Sequence, residues 1–352
     1  MTLKEIRSNV ARIMHDIAFQ KWSRQIIDSF INQVQYKICN PRHELWFLRK
    51  TTGIITSAPE SDGTVTVTQS STAITGSSTG FENAVGKYDT GTVLVTNGSE
   101  KVTGSGTSWK GNVEAGGYIY LPDGNSYKIR KVVDDTTLLL ESVYAGSTAS
   151  GQSYHTVKPV YFTIKDSQVI YEVQACASDT SLTIYPAYAD DGGSGKNYYI
   201  YPYGYKLPDD FRQPISVKQG GETDTIERKE SKDLWGEVTD KTAQSDTATY
   251  YTIDKRYNRI IFYPILNDVY KFDIEYWAEV QEMVDDNSEP VIPEKWHELL
   301  VLGTTVKCMK IDNDKRLSSF ESEYLAILQD FLVQEGRLDE YDQSLGVYTW
   351  RE

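Results

Sequence analysis

The feature that most constrains this 352-residue chain is the order of its internal repeats. Gly63-Thr-Val-Thr-Val-Thr68 recurs as Gly91-Thr-Val-Leu-Val-Thr96, and Ile74-Thr-Gly-Ser77 recurs as Val102-Thr-Gly-Ser105, both 28 positions further on. A second set is displaced by 44: Asp135-Thr-Thr-Leu138 returns as Asp179-Thr-Ser-Leu182, Tyr144-Ala145 as Tyr188-Ala189, and Gly151 to Tyr154 as Gly195 to Tyr198. The order is front, front, back, back, whereas tandem domains would alternate. Nesting is the simplest solution: an inner β module, 90–157, interrupts a turn of an outer copy made of 53–89 and 158–205. A host loop tolerates this when the guest's ends lie close together.

Composition shifts at the same boundaries. Gly, Ser, Thr and Tyr dominate 53–205, in short alternating runs between turn signals, which is an all-β pattern. Outside it, helical periodicity takes over. Leu3, Ile6, Val10, Ile13 and Ile17 recur at spacings of three and four behind Thr2 and Glu5, a capping-box pair. Trp22, Ile26, Ile27, Phe30, Ile31, Val34 and Ile38 predict a second helix over 21–40, ended by Pro41, and a strand follows over 44–52. After Leu207 the sequence predicts a turn and a strand to Val217, then a short helix near Lys232 to Trp235. Strands over 250–253, 259–263 and 269–277 predict an antiparallel meander, and helices are expected over 294–311 and 318–334. The expected fold class is therefore α+β: a core from 1–52 and 206–337, with a helical layer and a small antiparallel sheet, interrupted by two nested β modules and followed by a tail, 338–352.

Chemistry is conspicuous by what the spacing excludes. Cys39, Cys176 and Cys308 form no CxxC pair, and His15, His43, His155 and His297 form no HxxH or HExxH pattern, so no metal, disulfide framework or cofactor is expected. The pairs Asp134-Asp135, Asp190-Asp191, Asp209-Asp210 and Asp285-Asp286 fall in turns, where carboxylates cap backbone N–H groups. No catalytic residues are assigned and no enzyme activity is expected. A net charge of −14 argues against wrapping nucleic acid, since phosphate affinity comes from lysine and arginine, yet it suits a conduit along which DNA slides. No apolar run reaches the roughly 18 residues of a membrane span, and no signal-type apolar region follows Met1, so a protein neither secreted by a standard signal nor membrane-spanning is expected. The tail carries Leu345, Val347, Tyr348 and Trp350, large apolar groups suited either to a partner or to folding back on their own domain.

Across the outer segments the chain resembles the ring-forming head-to-tail adaptor (connector) proteins of tailed bacteriophages, particularly short-tailed ones. The resemblance rests on a series: Ile27-Asp28 and Ile31-Asn32, Trp46-Phe-Leu-Arg49, Leu207-Pro-Asp-Asp-Phe-Arg-Gln-Pro-Ile215, Tyr251-Thr-Ile253, Ile260-Ile-Phe-Tyr-Pro264, Tyr276-Trp277 and Pro290-Val-Ile-Pro-Glu-Lys-Trp-His297. The insertion, with Gly104-Ser-Gly-Thr-Ser-Trp109, is similar to Ig-like or β-sandwich-type modules of virion proteins. The resemblance implies a structural subunit at the neck of the virion, assembled in the bacterial host. It implies a homo-oligomeric ring, twelvefold by family habit, beneath the portal protein, with genomic DNA passing through the lumen and tail nozzle or fibre proteins docked on it. It also implies portal binding by Leu345, Val347, Tyr348 and Trp350. The alternative is a carbohydrate-binding or adhesive fibre protein, with Tyr198, Tyr199, Tyr201, Tyr203 and Tyr205 stacking on sugars.

Overall fold

The computed structural model describes residues 1–39, 44–233 and 240–337, which divide into two compact units. Among the described residues the first comprises those of Met1–Thr51, Asp210–Ile215 and 275–337. Its helices are Leu3–Ile13, Arg24–Ile38, His297–Asp312 and Leu317–Glu335. Thr2 closes the expected capping box with Glu5, and Ser23 caps the second helix through the Ile26 N–H. The first helix stops at Ile13, so Ile17 lies beyond it and is exposed.

The His297–Asp312 helix buries Leu299 through Thr305 without a break, because the first two helices and the last one surround it. Gly303 marks the closest approach: a Cβ there would stand 2.7 Å from Val34 and 2.8 Å from Tyr324. Leu3, Ile6, Val10, Ile27 and Ile31 share one core with Val280, Ile292, Leu299, Leu300 and Phe331. Polar ties register the early helices against the late segment. Arg7 grips Asp28 at 2.6 and 2.9 Å and Asp286 at 2.7 Å, and the Asn32 amide exchanges two 3.0 Å hydrogen bonds with the Met283 backbone. Such bidentate contacts specify orientation as well as energy.

The second unit, Thr52–Asp209 with Ser216–Ile274, holds both β modules. The outer sheet has seven strands, in spatial order Gly193–Lys196, Thr64–Val67, Ala73–Ser77, Ser181–Tyr185, Tyr171–Ser178, Val160–Ile164 and Tyr198–Pro202. The inner sheet repeats that order strand for strand: Ala149–Gln152, Thr92–Val95, Lys101–Ser105, Thr137–Leu140, Ser126–Asp134, Tyr118–Tyr120 and His155–Val157. In each, the two edge strands are neighbours in sequence, separated by Asn197 alone or by Ser153 and Tyr154, so the sheet must curl until its edges stand side by side.

Individual bonds repeat with the same displacements. Thr79 and Thr107 each donate a hydroxyl at 2.6 Å, to the carbonyls of Asp179 and Asp135. The Tyr198 and Tyr154 hydroxyls reach the Asp62 and Thr90 carbonyls at 2.6 and 2.7 Å. The repeated Gly76 and Gly104 have a steric cause: an added Cβ would meet the Thr79 or Thr107 hydroxyl oxygen at 2.1 or 2.2 Å. Val113 and Glu114 correspond to Val85 and Lys158 under these displacements, so the chain leaves the outer copy after Val85 and re-enters at Lys158, whose N–H donates to the Val85 carbonyl at 2.9 Å. The intervening 86–157 is 72 residues long, the sum of the two displacements. Each module has its own core, around Phe81, Phe162 and Tyr198 in the outer copy and Trp109, Ile129 and Tyr154 in the inner.

The α+β expectation, a helical layer with one small antiparallel sheet, is corrected. Among the described residues strand outweighs helix, 36% to 23%, in several sheets that include half-barrels. The meander does not form as a unit. Tyr250–Asp254 and Arg259–Tyr263 are an antiparallel hairpin, but the third strand, Lys271–Ala278, joins Phe211–Gln219 and Arg49–Ile55 in a separate sheet. The hairpin gains Tyr205–Lys206 on one edge and the parallel strand Glu227–Arg228 on the other. Gln244–Ser245 and Ile265–Leu266 add a further parallel pair. Long-range partners, which sequence proximity does not reveal, outcompete the adjacent strand. The expected short helix near Lys232 to Trp235 runs into 234–239, outside the described residues.

Candidate interaction surfaces

No group of three or more His, Cys, Asp or Glu side chains among the described residues could hold a metal ion. All three cysteines are buried as free thiols. Burial pushes Cys39 and Cys176 up to about 12 and Cys308 up to about 11, so none presents a thiolate at neutral pH. His297 is buried, with Nε2 donating to the Ile292 carbonyl at 2.9 Å and Nδ1 facing the Met1 amino group at 2.6 Å. Burial lowers its proton affinity, and both ring nitrogens are engaged in packing.

Of the tyrosines that suggested a sugar platform, Tyr198 and Tyr201 are buried, and Tyr199, Tyr203 and Tyr205 are half-buried. Tyr201 is buried beside Tyr161, Tyr203 donates its hydroxyl to Asp254 at 2.7 Å, and the Tyr205 ring packs at a tilt against Phe262. Burial raises the pKa of each. The cleft they line with Tyr263 and Leu266 has a cavity volume of about 40 Å³, room for a water molecule but not for a sugar ring. A second cleft, about 70 Å³, lies where the two modules meet the hairpin, among Gly116, Tyr118, Lys128, Glu172 and Tyr257.

Large apolar side chains are exposed in both units, Ile55, Tyr185 and Val269 in the second among them. Ile17, Trp46, Val284, Ile311 and Val333 are each more than half exposed, and exposed large apolar groups are the usual mark of contact sites when they gather. Leu345, Val347, Tyr348 and Trp350, the residues assigned to portal binding, lie outside the described residues. What is described is the point from which that segment departs. The last helix ends at Glu335, and Gly336–Arg337 pairs antiparallel with Glu44–Leu45. The Glu335 carboxylate accepts from Trp46 Nε1 at 2.6 Å, Trp296 Nε1 at 2.8 Å and Lys295 Nζ at 2.5 Å. The Lys295 ammonium, followed by the two indoles, draws Glu335 down to about 2. Beneath this grip Phe331 packs against Trp296 and Phe47. Sequence periodicity did not single out Glu335, which falls just past the helix expected over 318–334.

Residues 203–347 match the family model described as SU10 adaptor protein, a phage head–tail adaptor family. The matched segment runs from the end of the outer module through the hairpin and the last two helices, and is shorter than half the chain. It supports a structural role as a phage adaptor and a place in the virion. No curated protein matches the chain. No described helix is long and apolar enough to cross a membrane.

Proposed function

We propose that the chain is a non-enzymatic subunit of a head-to-tail adaptor ring, docked beneath the portal protein and extending the DNA channel toward the tail. The match of residues 203–347 to the adaptor family carries this reading. A ring requires one subunit to offer two different faces to its neighbours, and exposed apolar side chains such as Trp46 and Val333 provide material for such heterologous contacts. Twelve subunits would match a portal of the same symmetry. The excess of Asp and Glu over Lys and Arg, 50 against 36, would keep DNA mobile in the lumen by repelling phosphate.

The segment carrying Leu345, Val347, Tyr348 and Trp350 would engage the portal, launched from a helix end that Glu335 holds in place. The nested modules would brace nozzle or fibre proteins. The carbohydrate-binding alternative draws no support from Tyr201, Tyr203 and Tyr205, whose rings pack internally. Electron microscopy of the full chain mixed with its portal protein tests the proposal. Rings stacked on the portal are expected, reduced when Tyr348 and Trp350 are replaced by serine. A chain that stays dispersed beside intact portals at assembly-like salt would refute it.

A further inference from the structure

We propose that the inner and outer modules face each other at equivalent positions, and that the opposite charges placed there restrict the pairing to unlike copies. The observation is a coincidence of register. Lys128 and Glu172 are counterparts, 44 positions apart, and they form an ion pair at 3.0 Å. Glu114 and Lys158 are counterparts by the same displacement, and they form another at 3.6 Å. Gly116 and Val160, counterparts again, line the same small cleft between the modules. The strand Ser126–Asp134 touches its own counterpart, Tyr171–Ser178. The rest of the joint is one-sided: Tyr118–Tyr120 and His155–Val157 pack on Tyr171–Ser178 more closely than Val160–Ile164 and Tyr198–Pro202 pack on Ser126–Asp134, so the equivalence is confined to these facing positions.

The charges at these positions make the pairing selective. Two inner modules from different chains, joined by this face, would set Lys128 against Lys128 and Glu114 against Glu114, and two outer modules would oppose Glu172 to Glu172 and Lys158 to Lys158. Only inner against outer places opposite charges together at both positions, and like-charge opposition is an effective barrier to wrong partners. In a ring that would crowd many copies together, such selectivity prevents modules from exchanging partners between chains. The contact is well embedded. Tyr118 lies within the outer module's core and donates its hydroxyl to Glu172. Lys128 sits over the Tyr118 and Tyr257 rings at 5.3 and 5.8 Å. Arg259, buried on the hairpin, holds Glu114 while donating to the Gly204 carbonyl at 2.6 Å.

Hydrogen exchange of the full chain tests this independently of any ring or portal. Lys128→Met and Glu172→Gln should each speed amide exchange in Tyr118–Tyr120 and Tyr171–Ser178 by ~5- to 10-fold, and the double variant should be no more than ~2-fold faster than the worse single, because both remove one interaction. Lys128→Glu, which sets two carboxylates face to face, should open the joint further than Lys128→Met. Protection around Val102 and Leu138 should not change in any of them, since those amides belong to the inner sheet alone. Multiplicative single effects in the double variant, no response at the joint, or loss of protection throughout the inner sheet in Glu172→Gln would each overturn the proposal. The adaptor reading could stand or fall separately.

Discussion

Replacing Glu335 by glutamine should loosen the end of the last helix, and the size of the effect follows from its three partners. The Lys295 ammonium is mostly exposed, so its ion pair is worth only ~0.5–1 kcal/mol after screening by solvent. Two indole N–H groups bonded to a carboxylate contribute about 1 kcal/mol each over a neutral acceptor or water. Glutamine keeps one acceptor oxygen and the side-chain shape, so the expected loss is ~1.5–2 kcal/mol. Trp46 and Trp296 both donate to Glu335, which makes tryptophan fluorescence during urea unfolding a direct monitor. The pH dependence gives the sharper test. A carboxylate held at about 2 in the folded protein, against ~4.3 unfolded, contributes stability that is complete above the unfolded value and disappears as pH falls toward 2. The gap between wild type and Glu335→Gln should therefore be constant from pH 7 to 5 and narrow between about 4.5 and 2. A gap that is absent at pH 7, or that does not change with acidification, would refute the assignment of Glu335 as the ionised grip on this helix end.

Other outcomes follow from packing and topology. Phe331→Ala removes a fully buried ring lodged against Trp296 and Phe47 and should cost ~3–5 kcal/mol in urea unfolding. Gly104→Ala places a methyl against Thr107, whose hydroxyl bonds Asp135; a loss of ~1–3 kcal/mol should appear as faster exchange in the inner sheet. Excising 86–157 and joining Val85 to Lys158 through one glycine should leave the outer sheet folded, as read by retained protection at Val173 and Ile184, because the two ends are already hydrogen-bonded at 2.9 Å. Loss of all outer-sheet protection would contradict the nested register.

Much of the helical unit was legible because its signals are local. Thr2 with Glu5, and apolar residues at helical spacing from Leu3 to Ile13, specify a helix within a few turns of chain. The continuously buried stretch from Leu299 to Thr305 was readable as helix, but its place among three others was not. Ile17 fitted the period and is nevertheless exposed, since the helix ends before it. Glu335 and Arg259 were invisible beforehand: each matters through partners that lie far away in sequence.

The sequence by itself carries the front, front, back, back order of repeated turn and strand chemistry, from which the expectation that one β module interrupts another is drawn. It also determined where helices begin, through capping residues and apolar spacing. Only tertiary structure decided which strands became neighbours. The 269–277 run left the hairpin for partners at Arg49–Ile55 and Phe211–Gln219, and counterpart residues of the two modules met as ion pairs. The physical reason is that alternation specifies which face of a strand is buried, while the choice of partner depends on the competition among all apolar faces and unpaired edges, which is settled only when the whole chain is collapsed.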